Sequence, residues 1–451
     1  MSSRLRHPLT AVFVAALLTA PWIGVTVTGN AAAISTLTTV ALTGIAVLGA
    51  SFLLAWAAET AEEDVPRAFA LAVLAVLAVA PEYAVDALYA WEAGANVGTP
   101  LGNEKASLAV ANMTGANRIL IGIGWSAIAM FAVYKALSTD DPAVEYRDGW
   151  FADRDVERFP GGTYLARLDD ALANRVRLDV DISTEILFLF VATVYAFFVP
   201  LGRGIGGTDM LFLVGLYLAY IYFTLNMPND EDSEQVGIPA YFQSFTTSRR
   251  VPVYVGMFLF AGATILVAVE PFAHGLEHLG EQFGVPKFLM IQWVAPLASE
   301  SPELIVVAYL VNKARSTAAF NALISSKLNQ WTLLIGTLVL VYSISMGEYG
   351  ALPLEQKQTG EIWLTAAQSF FALAILVNFS ISVREAVALL FLFLVQLYPG
   401  FHHYEALIGF SVLYIALGLL LLASRFGALQ SLVTRVYHRI TGQSGVAAES
   451  A

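Results

Sequence analysis

The chain has 451 residues, 57% of them hydrophobic and only 13% charged, with a formal net charge of −12. A soluble protein carries about 25% charged residues, so this composition belongs to a membrane protein whose architecture the bilayer sets. The acidic balance argues against a nucleic-acid partner, and the lack of cysteine excludes disulfides, thiolate metal sites and cysteine nucleophiles.

Twelve apolar runs are long enough to cross a bilayer: 9–28, 33–58, 67–91, 105–137, 183–200, 207–227, 251–270, 287–311, 318–345, 361–379, 383–398 and 404–424. They are continuous, as in helices, and not alternating, as in the strands of a membrane barrel. The first run follows Arg4, Arg6 and His7 and is longer than a signal-peptide core. It lacks a small-x-small cleavage site, so it reads as a retained helix. The eleventh run is short and is followed by Pro399-Gly400. One sizeable polar insertion, 138–181, separates runs four and five and has room for a short amphipathic helix near Ala166 to Leu178. The basic residues test this parse: with the N-terminus inside, eighteen of the 24 Lys and Arg fall in inside segments and four in outside loops. The chain therefore reads as a multi-pass protein of the cell membrane with both termini cytoplasmic.

Two stretches repeat one arrangement. Trp293–Trp331 carries Pro302-Glu303, a short polar break at Asn312–Thr317, and then Asn321 to Lys327. About 220 residues earlier, Leu77–Leu120 carries Pro81-Glu82, a break, and Asn112 to Arg118. The repeated spans are the third and the eighth. They are an odd number of crossings apart, so the repeat is inverted, the arrangement from which many transporters build a midplane site. The expected fold is an all-α polytopic membrane protein of about twelve transmembrane helices with two inverted five-helix repeats. Its parts are a leading helix in 1–32, a first half in 33–227, a second half in 251–398, and a trailing helix with its tail in 404–451.

Ionisable groups at membrane depth cost several kcal/mol unless paired or hydrated, and they mark function by default. A proline before Glu82 and before Glu303, deep in an apolar helix, frees backbone carbonyls beside a carboxylate. Those are hard oxygen ligands, suited to calcium or sodium. Glu300 lies three residues before Glu303 and Asp86 four after Glu82, each on the same helical face. The second helix of each copy offers amide and hydroxyl oxygens at Asn112, Asn117, Asn321 and Ser325, although small polar residues also serve plain helix packing.

A Pro-Glu helix, a short loop and an Asn-x-x-Gly-small-Asn helix, present twice and inverted, resemble the alpha-repeats of the sodium/calcium exchanger (cation/calcium antiporter) superfamily, of which the chain reads as a divergent member. That resemblance implies a secondary active antiporter, exchanging calcium or a related cation for protons or sodium by alternating access. It implies Glu82 and Glu303 as the paired central metal ligands, with Asn112, Asn321 and Ser325 lining the site. Ala78 and Ser299 would contribute backbone carbonyls. The departures from the family pattern are Val79 and Glu300 at a serine position, Ala116 at a second, Ser326 at the final asparagine, and the basic residues Arg118 and Lys327 directly after it.

A cationic side chain beside a carboxylate cluster can substitute for a bound cation. Arg118 and Lys327 are therefore expected to pair with Glu82, Glu300, Glu303 or Asp86, or else to point away from the site. Two other readings stay open: a transporter of something other than calcium, and a non-transporting sensor on the same scaffold with these pairs as structural salt bridges. His274-Gly275-Leu276-Glu277-His278 matches a short reversed zinc-peptidase pattern but falls in an expected outside loop and lacks a third ligand. No enzymatic activity and no cofactor are expected; Ca2+, Na+ or H+ would be the transported substrates, and lipid and inorganic cations the partners.

Overall fold

The computed structural model describes residues 7–30, 33–65, 79–138, 141–149, 162–202, 204–226, 237–398 and 403–441. Helices dominate because backbone N–H and C=O groups in hydrocarbon must be satisfied within their own segment. In chain order they are α1 (Pro8–Val27), α2 (Thr36–Ala61), α3 (Ala80–Ala95), α4 (Pro100–Ala136), α5 (Gly162–Ala173), α6 (Val180–Leu201), α7 (Gly207–Asn226), α8 (Ile238–Gln243), α9 (Thr247–Phe283), α10 (Lys287–Asn312), α11 (Ser316–Met346), α12 (Gln356–Leu376), α13 (Val383–Gln396), α14 (Tyr404–Ser424) and α15 (Phe426–Thr441). Among the described residues ten of these are long and apolar enough to span: α1, α2, α4, α6, α7, α9, α10, α11, α12 and α14. Two of the twelve expected runs are not among these ten. The third, 67–91, lies partly outside the described residues, which hold its second part in α3. The eleventh is α13, whose 14 residues reach about 21 Å at 1.5 Å per residue, short of a hydrocarbon core of ~30 Å.

The chain divides into two compact units, each assembled from three separate stretches. The first comprises 1–116, 202–303 and 332–358. In it α1, α2 and α9 pack through Trp22, Ala46, Val47 and Ala268, and the Trp22 indole donates to the Val267 carbonyl at 3.0 Å. α9 passes through Pro252 and Pro271 and ends only at Gly284, whose φ of +68° is the left-handed turn that glycine adopts freely. The expected loop after residue 270 is therefore helix. A single proline removes one backbone donor, while the buried residues Phe272, Leu276 and Leu279 keep the helical period beyond it. α4 and α10 meet at Gly115, where a Cβ would lie 1.8 Å from the carbonyl oxygen of Gln292. Only glycine permits that approach.

The second unit comprises 117–201, 304–331 and 359–451. It holds a small antiparallel sheet of β1 (Val144–Glu145), β2 (Arg175–Arg177) and β3 (Ser380–Ser382), with Val176 opposite both Val144 and Ile381. Val176 and Ile381 are fully buried. Strands of two or three residues show no alternation in a sequence, and their partners lie far along the chain, so nothing announced them. The amphipathic helix expected near 166–178 is α5, which stops at Ala173 and gives way to β2. The Trp363 indole of α12 donates to the Phe197 carbonyl of α6 at 3.0 Å.

The repeated motif is carried by the helix pairs α3–α4 and α10–α11. Three of these four helices widen into a π-helical turn: Leu120–Trp125 in α4, Met290–Val294 in α10 and Gln330–Leu334 in α11. In α4 and α11 the widened turn starts directly beyond the motif, two residues after Arg118 and three after Lys327. Such turns release backbone groups and collect at functional sites.

Candidate functional site

In the first unit α3 opens at Ala80, with Pro81 in the first turn, where a missing N–H costs nothing. Glu82 follows in that turn and is 3% exposed. Both Pro-Glu pairs were expected inside helices; Pro302 lies inside α10, whereas Pro81 starts one. The Ser299 hydroxyl, Glu300 and Glu303 of α10 are the electrostatic neighbours of the Glu82 carboxylate, and the Ser299 hydroxyl donates to the Ala295 and Pro296 carbonyls at 3.4 Å. Glu300 is 1% exposed and Ser299 is buried, while Glu303 is half-buried. One turn along α3, Asp86 accepts from Asn112 Nδ2 of α4 at 3.0 Å. The remaining polar atom of each side chain, Asp86 Oδ2 and Asn112 Oδ1, is buried with no hydrogen-bond partner. Thr114, which follows on α4, accepts from the buried Gln292 of α10 at 3.4 Å. Sequence reasoning passed over Gln292 because it stands three residues before the first apolar-proline segment of its helix, without a counterpart in the other copy.

The structure thus gathers Glu82, Asp86, Asn112, Ser299, Glu300 and Glu303 in one unit. The arrangement is a set of carboxylate, amide and hydroxyl oxygens, buried except for the half-buried Glu303, the donor chemistry of hard cations. Among the described residues no three or more His, Asp or Glu converge as a ready metal cluster. Ala78, expected to give a carbonyl, lies outside the described residues.

Asn117, Arg118, Asn321, Ser325 and Lys327 belong to the second unit. Asn117 is fully buried and accepts from Lys327 Nζ through its side-chain oxygen at 2.7 Å and its carbonyl oxygen at 3.3 Å. Asn321 Oδ1 is buried without a hydrogen-bond partner, and Ser325 is half-buried. For Arg118 the structure supplies a partner that the sequence reading did not name: its guanidinium pairs with Glu361 of α12 at 2.5 Å, the two side chains being 1% and 0% exposed. A buried guanidinium needs a carboxylate, and α12 supplies one. Glu361 was missed because it begins its apolar run, where an acid reads as headgroup-facing. The signal that could have found it is the cluster of polar residues at helical spacing, Glu361, Thr365 and Gln368, on one face of an otherwise apolar helix. Gln368 in turn donates to the Arg118 carbonyl at 3.3 Å and accepts from Gln396 at 3.2 Å.

The His274–His278 motif lies on α9, not in a loop, and its members join an ion network in the first unit. Lys105 Nζ reaches Glu92 at 3.0 Å and Glu277 at 2.8 Å; His274 Nε2 reaches Glu92 at 2.7 Å; Tyr89 donates to Glu277 at 3.1 Å; Lys287 reaches Glu104 at 2.8 Å and Glu281 at 3.0 Å. Glu277 is thus occupied by a lysine and a tyrosine, which leaves the zinc-peptidase pattern without its acid.

Buried acidic and amide oxygens on α3, α4 and α10, in a helical chain built from two copies of one helix-pair motif, define a polytopic membrane transporter for cations. The chain belongs to the sodium/calcium exchanger protein family, whose model matches residues 34–226 and 253–399. It is similar to the crystal structure of the H+/Ca2+ exchanger CAX, with 43% sequence identity and a TM-score of 0.82 over 96% of this chain and 98% of that one. It shares its fold with the selenium-substituted Ca2+/H+ antiporter protein YfkE, at 14% identity and a TM-score of 0.56 over 88% of this chain and 99% of that one. No curated protein matches the chain.

Proposed function

We propose that the chain exchanges calcium, or a related cation, for protons by alternating access, with Glu82 and Glu303 as the central ligands and Ser299, Glu300, Asp86 and Asn112 around them. The observation that carries this reading is the grouping of Glu82 with Glu300, Glu303 and the Ser299 hydroxyl in a buried setting. Carboxylates held together away from water do not all stay charged without a compensating positive charge. A divalent cation supplies it in one half of the cycle and protons in the other, so each species leaves when the other arrives. Protons are favoured over sodium as the counter-ion by the 43% identity to a protein named as an H+/Ca2+ exchanger. The excess of basic residues in alternate loops supports a chain in the cell membrane with both ends in the cytoplasm.

The test is calcium binding to the purified protein by titration calorimetry in two buffers of different ionisation enthalpy. The expected result is calcium binding accompanied by proton release, with Glu82→Gln and Glu303→Gln each weakening affinity by ~100-fold, about 2.7 kcal/mol. Wild-type affinity in both variants would refute the assignment.

A further inference from the structure

The span α14 ends at Ser424, and after Arg425 the chain enters α15, so the last helix begins where a membrane crossing stops. Both ends of α15 are tied down in the second unit. At one end Arg425 donates to the Ala374 and Ile375 carbonyls near the close of α12, at 3.4 Å and 2.6 Å, and pairs with Glu385 in the first turn of α13. At the other, Arg439 pairs with Asp181 in the first turn of α6 and donates to the Asp181 carbonyl at 3.1 Å. β2 and β3, which pair with each other, stand just before α6 and α13. The closing ends of α12 and α14 and the opening ends of α6 and α13 therefore share one side of the membrane. The 16 residues of α15 reach about 24 Å. Anchored at both ends on that side, the helix runs along the membrane face and not through the bilayer.

Its residues sort around the helix. α15 packs on α6, and Leu432 and Val436 are its buried residues. Phe426, Val433 and Tyr437 fall within about 40° of one another on the adjoining arc, and all three are exposed. Gln430, Thr434 and Arg435 take the arc beyond and are exposed too. The apolar arc is thus wider than the face that the protein covers, and the polar arc lies away from the buried line. An apolar strip with a polar face beside it is the pattern of a helix lying in a bilayer interface. The strip also continues the exposed apolar surface of α14, carried by Leu419 and Leu420. Tyr437 is of a residue type that collects at headgroup depth.

We infer that α15 is an interfacial helix: the strip of Phe426, Val433 and Tyr437 is seated at the boundary between lipid headgroups and acyl chains, and through Arg425 and Arg439 the helix sets the depth of the ends of α6, α12 and α13. The partner is the lipid surface. The inference needs α14 to span the bilayer and does not depend on what the chain transports.

The experiment uses the absence of cysteine from the chain: Val433→Cys, Tyr437→Cys and Arg435→Cys each carry a single spin label. The full-length protein is reconstituted in phosphatidylcholine vesicles, with a water-soluble nickel chelate on both sides. Collision of each label with dissolved oxygen and with the chelate is read by power saturation of its resonance. Labels at 433 and 437 meet oxygen in preference to nickel and sit about 5–10 Å into the headgroup and acyl boundary, while the label at 435 meets nickel in preference to oxygen. Labels at 433 and 437 that meet nickel as readily as the label at 435 overturn the inference, because the strip then faces water. Labels there that are shielded from both reagents overturn it as well. Spin–spin broadening at 433 or 437 that disappears on dilution with unlabelled protein also overturns it, and assigns the strip to a second copy of the chain.

Discussion

The pair between Arg118 and Glu361 gives the sharpest stability prediction. Both side chains are essentially removed from solvent and the contact is 2.5 Å. Glu361→Gln keeps the shape and an acceptor oxygen but leaves a buried guanidinium without its counter-charge. Breaking one side of such a pair costs about 3–5 kcal/mol, because desolvation of the remaining ion is no longer offset. That is roughly 160- to 5,000-fold in the folding equilibrium. Replacing both members by leucine removes the two charges together, and such replacements are commonly neutral or stabilising. The assay is chemical denaturation in mixed micelles of wild type, Glu361→Gln, Arg118→Leu and the Arg118→Leu/Glu361→Leu double variant, read as a double-mutant cycle. Each single variant should fall by several kcal/mol and the double variant should regain most of the loss. A Glu361→Gln protein within about 0.5 kcal/mol of wild type, the usual range for exposed surface substitutions, would refute the reasoning.

Two further predictions concern other parts of the chain. Gly115→Ala sets a methyl group 1.8 Å from the Gln292 carbonyl, so α4 and α10 must separate; overpacking of this kind costs ~1–3 kcal/mol, and an unchanged Tm would contradict the contact. Asp64, which follows α2, is held below the usual carboxylate range by hydrogen bonds from Arg250, at 2.6 Å and 2.7 Å. Its contribution is therefore full above the unfolded-state value of ~3.9 and fades as pH falls through the lower folded value. Asp64→Asn should lose about 1.5–3 kcal/mol at neutral pH and show a shallower acid limb when Tm is followed from pH 6 to 3; parallel profiles for the two proteins would count against it.

Much of this architecture is written in composition and spacing, because the bilayer leaves so few options. Apolar runs of span length became helices with ends close to those expected in α1, α7 and α14, where loops carry the charge. The carboxylates on α3 and α10 stood out for the same reason: an ionisable group in hydrocarbon is costly unless paired or hydrated. What stayed hidden depends on tertiary partners. Arg118 announced that it needed an acid but not which one, and Glu361 stood at the edge of its run. The seventh apolar run ended at 270 in the sequence, where packing carries the helix on to Phe283, and β2 pairs with β3 some two hundred residues further along the chain. The repeat equated Arg118 with Lys327, and the structure gives the first the Glu361 carboxylate and the second the oxygens of Asn117.

The central claim is that carboxylates on α3 and α10 carry the exchanged cation in alternation with protons. It is tested most directly by calcium uptake into proteoliposomes under an imposed pH gradient, in sodium-free medium, for wild type, Glu82→Gln and Glu303→Gln. Uptake that follows the gradient in wild type and is abolished in both variants is the result expected. Gradient-driven uptake that persists in either variant at the wild-type rate would contradict it.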